Sequence, residues 1–337
     1  MSRQPRFHPL FHSLLAGMLL GGACAASAAD NDVTPDQVVG AFEQVFGVNK
    51  GERRNHIKGT CATGEFVGKP EAAQYSRSAL FSGKPVPVVA RFSLGGGNPK
   101  APDAGKSPRG MALEFRLADG ALQHMTMLNV PVFGAAVPKT FFDQLQALQA
   151  DPKTGKPDPE KLKAFAASHP DSHALGQFMA SHNPPPSYAN AAYFGIHTFK
   201  FTNAKGEVTP VRWRFVPEDG EKQLSEAEMK SLPADFLEQR LIERAAKGPV
   251  RWGMWIAVGQ PGDPQDDPTK PWPKERKEVQ VGTLTLTQAM AQKGAACEAI
   301  NFDPMVMADG ISPTNDPILR FRSPSYAISF GKRLSGQ

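Results

Sequence analysis

Apolar side chains recur along this chain in two rhythms. The first is helical: Val38, Ala41, Phe42, Val45 and Phe46 fall on one helix face. Thr34-Pro35-Asp36-Gln37 supplies the start of that helix, with a hydroxyl N-cap, proline at the first helical position and a glutamine placed to bond back to the cap. The second rhythm alternates, as strands do. Val86 to Phe92 is rich in β-branched residues, and Leu113, Phe115 and Leu117 alternate with Glu114 and Arg116. Asp119-Gly120 is a hairpin turn signal ahead of a strand-like run from His124 to Val130. A second hairpin is expected from His197 to Val216, turning at Asn203-Ala204-Lys205-Gly206, and Arg251 to Val258 and Val279 to Leu286 supply more strands. Helical patterns interrupt this series. Phe141 to Leu148 is amphipathic, Asp158-Pro159-Glu160 caps a helix ending near Ser168, and Ser225 with Glu228 forms a capping box for a helix expected to reach Ala246. Strands at hairpin spacing with helices inserted between them predict an α+β chain built on a closed antiparallel barrel.

The N-terminus follows neither rhythm. Arg3 and Arg6 precede an apolar stretch from Leu14 to Leu20, and small residues follow through Ala29. This is the layout of a secretory signal peptide over residues 1–29, cleaved near Ala28 or Ala29. The apolar run is too short to span a membrane, and Gly21-Gly22-Ala23 is a poor context for lipidation at Cys24. Residues 30–337 are then one exported domain, expected in the periplasm with no stable membrane insertion. Two cysteines remain, Cys61 and Cys297, and an oxidising compartment permits a disulfide between them, although sequence cannot place their Cα atoms within range. With 40% hydrophobic and 21% charged residues, the composition is that of an ordinary globular chain. The net charge of +5 is dispersed rather than blocked into runs, so no nucleic-acid surface is expected. Gly95-Gly96-Gly97 lacks the Lys-Ser/Thr of a phosphate-binding loop and reads as a turn.

The candidate chemistry lies in five short runs. They are Glu52-Arg53-Arg54-Asn55-His56-Ile57-Lys58-Gly59; Ala90-Arg91-Phe92-Ser93 with Ser107-Pro108-Arg109-Gly110-Met111-Ala112; Gly195-Ile196-His197-Thr198-Phe199-Lys200; Asp267-Pro268-Thr269-Lys270-Pro271-Trp272-Pro273 with Val281-Gly282; and Phe302-Asp303-Pro304, Asp316 and Arg322-Ser323-Pro324-Ser325-Tyr326. In this order they resemble the haem catalase family, and within it the small secreted catalase-related peroxidases. The resemblance covers roughly residues 35–334. It implies an antiparallel barrel of about eight strands with inserted and flanking helices. It also implies haem b as cofactor and hydrogen peroxide as substrate.

By the resemblance, Tyr326 is the axial ligand of the haem iron. Arg322 lies one helical turn before it, on the same face, where a guanidinium favours an ionised phenolic oxygen. His197 and Asp316 extend the chain from Arg322 and hold it in place. On the opposite side His56 takes a proton from peroxide and returns it to the leaving oxygen, with Ser93 orienting the ring. Arg53, Arg91 and Arg333 match arginines that pair with the haem propionates, and Phe133 and Phe141 match aromatic positions of the distal pocket.

One position departs from the family. The run Leu128-Asn129-Val130-Pro131-Val132-Phe133 stands where the family has N-N-x-P-x-F, so leucine occupies the place of the peroxide-positioning asparagine. Asn55 is the only nearby candidate to compensate. The chain also runs only to Gln337, which implies no C-terminal helical domain, no NADPH site and a monomer or homodimer. These departures point to a peroxidase that oxidises a small organic donor, with weak catalase activity. The competing readings are a true small catalase, a fatty-acid hydroperoxide isomerase and a non-enzymatic periplasmic haem carrier.

Overall fold

The computed structural model describes residues 33–337; the segment read from sequence as a signal peptide lies outside them. Ten strands occur, β1 (Gly59–Gly68), β2 (Pro85–Leu94), β3 (Arg109–Arg116), β4 (Leu122–Leu128), β5 (Tyr193–Phe194), β6 (Phe199–Thr202), β7 (Val208–Pro217), β8 (Val250–Val258), β9 (Glu278–Ala291) and β10 (Ile311–Pro313). Every pairing is antiparallel. The order β7-β5-β4-β3-β2-β1-β9-β8 closes on itself through β7–β8, giving an eight-stranded barrel, and β6 and β10 extend from β7 outside the ring. Closure removes the free edges that an open sheet of this length would expose.

Alternation along the strands fills the interior. Phe66, Phe92, Met111, Leu113, Phe115, Phe215, Trp252 and Met254 are buried there, each contributing about 1.5–3 kcal/mol by leaving water. Phe92 packs against Tyr188, Tyr193 and Trp252 with ring centroids 5.2, 5.8 and 5.7 Å away. The opposite face of β1–β4 is the one that matters for function. Across it the register aligns Gly59, Ser93, Gly110 and Leu128 in one row and Cys61, Arg91, Ala112 and Thr126 in the next.

Among the described residues eight α-helices pack around the barrel: α1 (Pro35–Phe46), α2 (Pro138–Ala147), α3 (Pro159–Ser168), α4 (His173–Ser181), α5 (Glu226–Ser231), α6 (Phe236–Ala246), α7 (Ala296–Ala299) and α8 (Pro317–Leu334). The expected capping box of α1 forms, with Thr34 and Gln37 bonding reciprocally. So does that of α5, between Ser225 and Glu228. The helix expected to run on to Ala246 does not. It ends at Ser231, and a second helix, α6, begins at Phe236. Leu232 is extended (ψ 146) because Pro233 follows it, and the α conformation before proline clashes with the pyrrolidine ring. α1, α2 and α8 pack together over the outer face of the barrel. Val38, Ala41 and Leu145 form their buried centre, with Phe42, Phe141 and Phe321 against it. The three helices and the outer sheet face enclose the main cleft.

Candidate active site

The cleft holds about 1330 Å³ of empty space, its mouth included. His56, Ser93, Arg53, Arg91, Phe141, His197, Arg322 and Tyr326 line it, as do Leu128 and Phe133. Asp316 lies behind His197 and reaches it by a hydrogen bond. Arg333 stands outside the lining, next to Arg53.

One wall is built on α8. Arg322 and Tyr326 are one turn apart, and the Arg322 guanidinium donates from Nη2 to Tyr326 Oη at 3.0 Å. The same nitrogen donates to Thr126 Oγ1 at 2.6 Å, and Nη1 donates to His197 Nε2 at 3.0 Å. His197 must therefore carry its proton on Nδ1, which donates to Asp316 Oδ2 at 2.6 Å. Burial holds this histidine below its ordinary pKa, against the raising effect of Asp316, so it stays neutral and keeps an acceptor for Arg322. Asp316 has a second task. Its Oδ1 accepts from the backbone of Ile318 and Leu319, so the carboxylate that orients His197 also N-caps α8. Ile196, just before His197, has φ +35, a strained backbone that the surrounding structure holds.

The facing wall presents His56 from the segment between α1 and β1. Its backbone is left-handed, with φ +54, and is fixed on both sides. Arg91 Nη2 donates to the His56 carbonyl at 2.6 Å, and the His56 N–H donates to Asn55 Oδ1 at 2.9 Å. Asn55 Oδ1 also accepts from Gly96 N–H at 2.8 Å, so its oxygen holds the loop. The ring is set by Ser93, whose Oγ lies 3.0 Å from His56 Nδ1. The His56 pKa is pushed down to about 3, by burial first and then by the charges of Arg91, Arg322 and Arg53. The imidazole is a free base at neutral pH. Leu128 lines the cleft nearby, while Asn129 turns away to accept from Arg109 N–H at 2.7 Å.

Arg53, Arg91 and Arg333 form a cationic cluster. None of them makes an ion pair with a carboxylate among the described residues; they are held by backbone carbonyls and by Gln292. Burial lowers the Arg53 pKa to about 8, with the charges of Arg91 and Arg333 lowering it further than Glu52 and Glu298 raise it. A cleft lined by Phe42, Phe133, Phe141 and Phe321, floored by Gly110 and Ala112, with a tyrosine on one wall and uncompensated guanidiniums at one end, fits a flat dianionic macrocycle.

A family model for catalase matches residues 44–337 of the chain. The chain belongs to the catalase family. It is 58% identical over 315 residues to the catalase-related peroxidase of Synechococcus elongatus, covering 94% of this chain and 93% of that protein. The catalase-related peroxidase of Mycolicibacterium paratuberculosis is 34% identical, over 88% of this chain and 94% of its own. A fungal catalase superposes with a TM-score of 0.79 at 26% identity, covering 85% of this chain. The chain spans 60% of that catalase's length. The family implies haem, and the cleft just described is the one site whose residues suit it among those the motifs marked.

The roles of three residues at this site lay outside the sequence reading, although one of them, Gly110, stands in a marked run. Thr126 completes the bonding of Arg322, and Gln292 accepts from Arg91 Nε at 2.6 Å. Gly110 is needed for space: a Cβ there would sit 2.7 Å from Ser93 Oγ and 3.2 Å from His56 Nδ1. Thr126 lies in a strand that was read and Gly110 in a run that was marked, and only the pairing register shows that they face the cleft.

Proposed function

We propose that this chain is an exported haem b peroxidase that reduces hydrogen peroxide at the expense of a small organic donor, with weak disproportionation. Membership of the catalase family makes it an oxidoreductase acting on peroxide. The finer reading rests on one observation: a neutral His56, oriented by Ser93, faces the Tyr326 wall with Leu128 beside it in place of an amide. Haem bound in this cleft, with Tyr326 as the residue that would hold its iron, would supply the redox chemistry for cleaving the peroxide O–O bond, and the organic donor would return the electrons. His56 Nε2 accepts a proton from one peroxide oxygen and delivers it to the other, which leaves as water. Ser93 and the Arg91 bond to the His56 carbonyl keep the ring in place for both transfers. Arg322 donates to Tyr326 Oη and so fixes the position of the oxygen that would serve as ligand. Arg53, Arg91 and Arg333 neutralise the propionates.

Disproportionation needs a second peroxide held for oxidation, and leucine offers no hydrogen bond. The loss of one preorganised donor costs on the order of 100-fold in rate. Donor oxidation is not limited in this way. Export is supported by the N-terminal pattern and by the bond between Cys61 and Cys297, whose Cα atoms are 5.6 Å apart. We take the working species to be a monomer or homodimer.

The test compares oxygen evolution with donor oxidation on the purified, haem-loaded chain. Donor oxidation should dominate, and Leu128→Asn should raise oxygen evolution by about tenfold or more, within the range of one restored donor. Rapid oxygen evolution by the unaltered chain, without donor oxidation, would overturn the reading.

A further inference from the structure

The disulfide and the arginine cluster meet on one short segment. Arg53 Nη2 donates to the carbonyls of Cys297, Glu298 and Ile300 at 3.2, 3.0 and 2.9 Å. Arg333 donates to the carbonyls of Glu298 and Ala299 at 2.8 and 3.2 Å. Arg91 donates to Gln292 Oε1 at the near end of the same segment. All three guanidiniums are therefore aimed by residues 292–300. That segment has little structure of its own. Its helix, α7, is four residues long and has no side-chain cap. It is held instead by Cys297, which is fully buried and bonded to Cys61. Cys61 sits on β1 directly opposite Arg91 on β2. The disulfide thus joins the collar that aims Arg53 and Arg333 to the strand pair that carries Arg91.

We propose that Cys61–Cys297 is a positioning pair for the anion-binding arginines, and that it retains the cofactor through the cofactor's carboxylates. This rests on the haem reading above. The three guanidiniums come from different elements and repel one another; acceptors on this short segment hold them in place, and the covalent bond fixes the segment. Anchoring of Val89, Phe302 and Ile300 around the sulfurs adds an apolar contribution but no aim.

The probes are ferric haem b and its dimethyl ester, in which both carboxylates are blocked. The full-length chain and its Cys61→Ser/Cys297→Ser variant are loaded with each, and release to excess apomyoglobin is timed from the Soret band. The variant should release haem about tenfold faster, the equivalent of one charge-assisted hydrogen bond. Release of the diester should change by less than about twofold, within the scatter of independent sites. Arg333→Ala should reproduce the pattern and add little on top of the double serine variant. Equal acceleration of both probes would assign the disulfide a general structural role and overturn the proposal, as would unchanged release of haem. If the serine variant fails to fold, the loaded wild-type chain reduced by excess dithiol, each S–S giving two thiols that are then alkylated, gives the same comparison. Uptake of neither probe by the unaltered chain would overturn the haem reading and this proposal with it.

Discussion

Gly110→Ala inserts one methyl group at the point where the two halves of the base meet. The new Cβ would stand 2.7 Å from Ser93 Oγ, 3.2 Å from His56 Nδ1 and 3.3 Å from His56 Cε1. Carbon contacts are comfortable at about 3.5–4.0 Å, so Ser93 Oγ must move by more than half an ångström. Its backbone cannot retreat, because Ser93 is paired with Gly59 on one side and with Gly110 itself on the other. Rotation of the serine about χ1 is the cheapest relief, and it breaks the 3.0 Å bond to His56. The bond is worth about 1 kcal/mol in stability. Its loss frees the imidazole to shift, and a misplacement of about 1 Å costs on the order of 100-fold in rate. The assay is kcat/KM for peroxide with a saturating donor, normalised to haem content from the Soret band. A fall of about 30- to 100-fold at unchanged haem content is expected. Ser93→Ala removes the closest clash together with the bond, so Gly110→Ala/Ser93→Ala should lose less than the product of the two single losses. A Gly110→Ala enzyme within twofold of wild type, or losses that multiply in the double variant, would refute the reasoning.

Three further outcomes follow from the groups of the site. Because the folded-state pKa of His56 is held at about 3 rather than about 6.5, its base form persists as pH falls, and kcat/KM for peroxide should be flat from pH 8 to about 5; an acid limb centred near 6.5 would contradict this. The same shift lowers stability in acid, since the unfolded chain takes up a proton below about pH 6.5 that the folded chain refuses until about pH 3, and unfolding in urea at pH 7 and 5 reads the sign. Asp316→Ala removes a helix cap and strands His197 without its acceptor, so a loss of about 3 kcal/mol or more is expected, together with a perturbed Soret band as Arg322 loses its support.

Much of the site was legible in sequence because it is written in local runs. Arg322 and Tyr326 share a helix face at a spacing that any helical pattern shows, and the turn at Asp119-Gly120 announces the β3–β4 hairpin. Residues whose meaning depends on register were not legible. Nothing local distinguishes Thr126 from any other threonine in a strand; its role arises only when β4 pairs with β3 and α8 crosses beneath it. Gly110 stands in a marked run, but its role as the space beside Ser93 and His56 is silent for the same reason. The pairing of Cys61 with Cys297 spans 236 residues and needed the closed barrel to bring it within reach. The end of the helix after Ser225 was visible in Pro233, whose restriction on Leu232 outweighed the apolar period beyond it. Leu128 worked in the other direction: its place was fixed by Pro131 and Phe133, and the fold puts it in the cleft as that register required.

The closing of the barrel has a consequence for how the chain folds. β1 pairs on one side with β2, its neighbour in sequence, but on the other with β9, which follows almost all of the remaining strands. Until β9 arrives, β1 presents an open edge with Phe66 and Val67 along it, the kind of edge that recruits other chains. The proximal wall comes later still, because α8 is the last element. Pairing that proceeds from the N-terminal strands therefore leaves an unsealed sheet with half a binding cleft until β9 and α8 join. Refolding yield should therefore fall as protein concentration rises, because the open β1 edge is the part exposed to other chains.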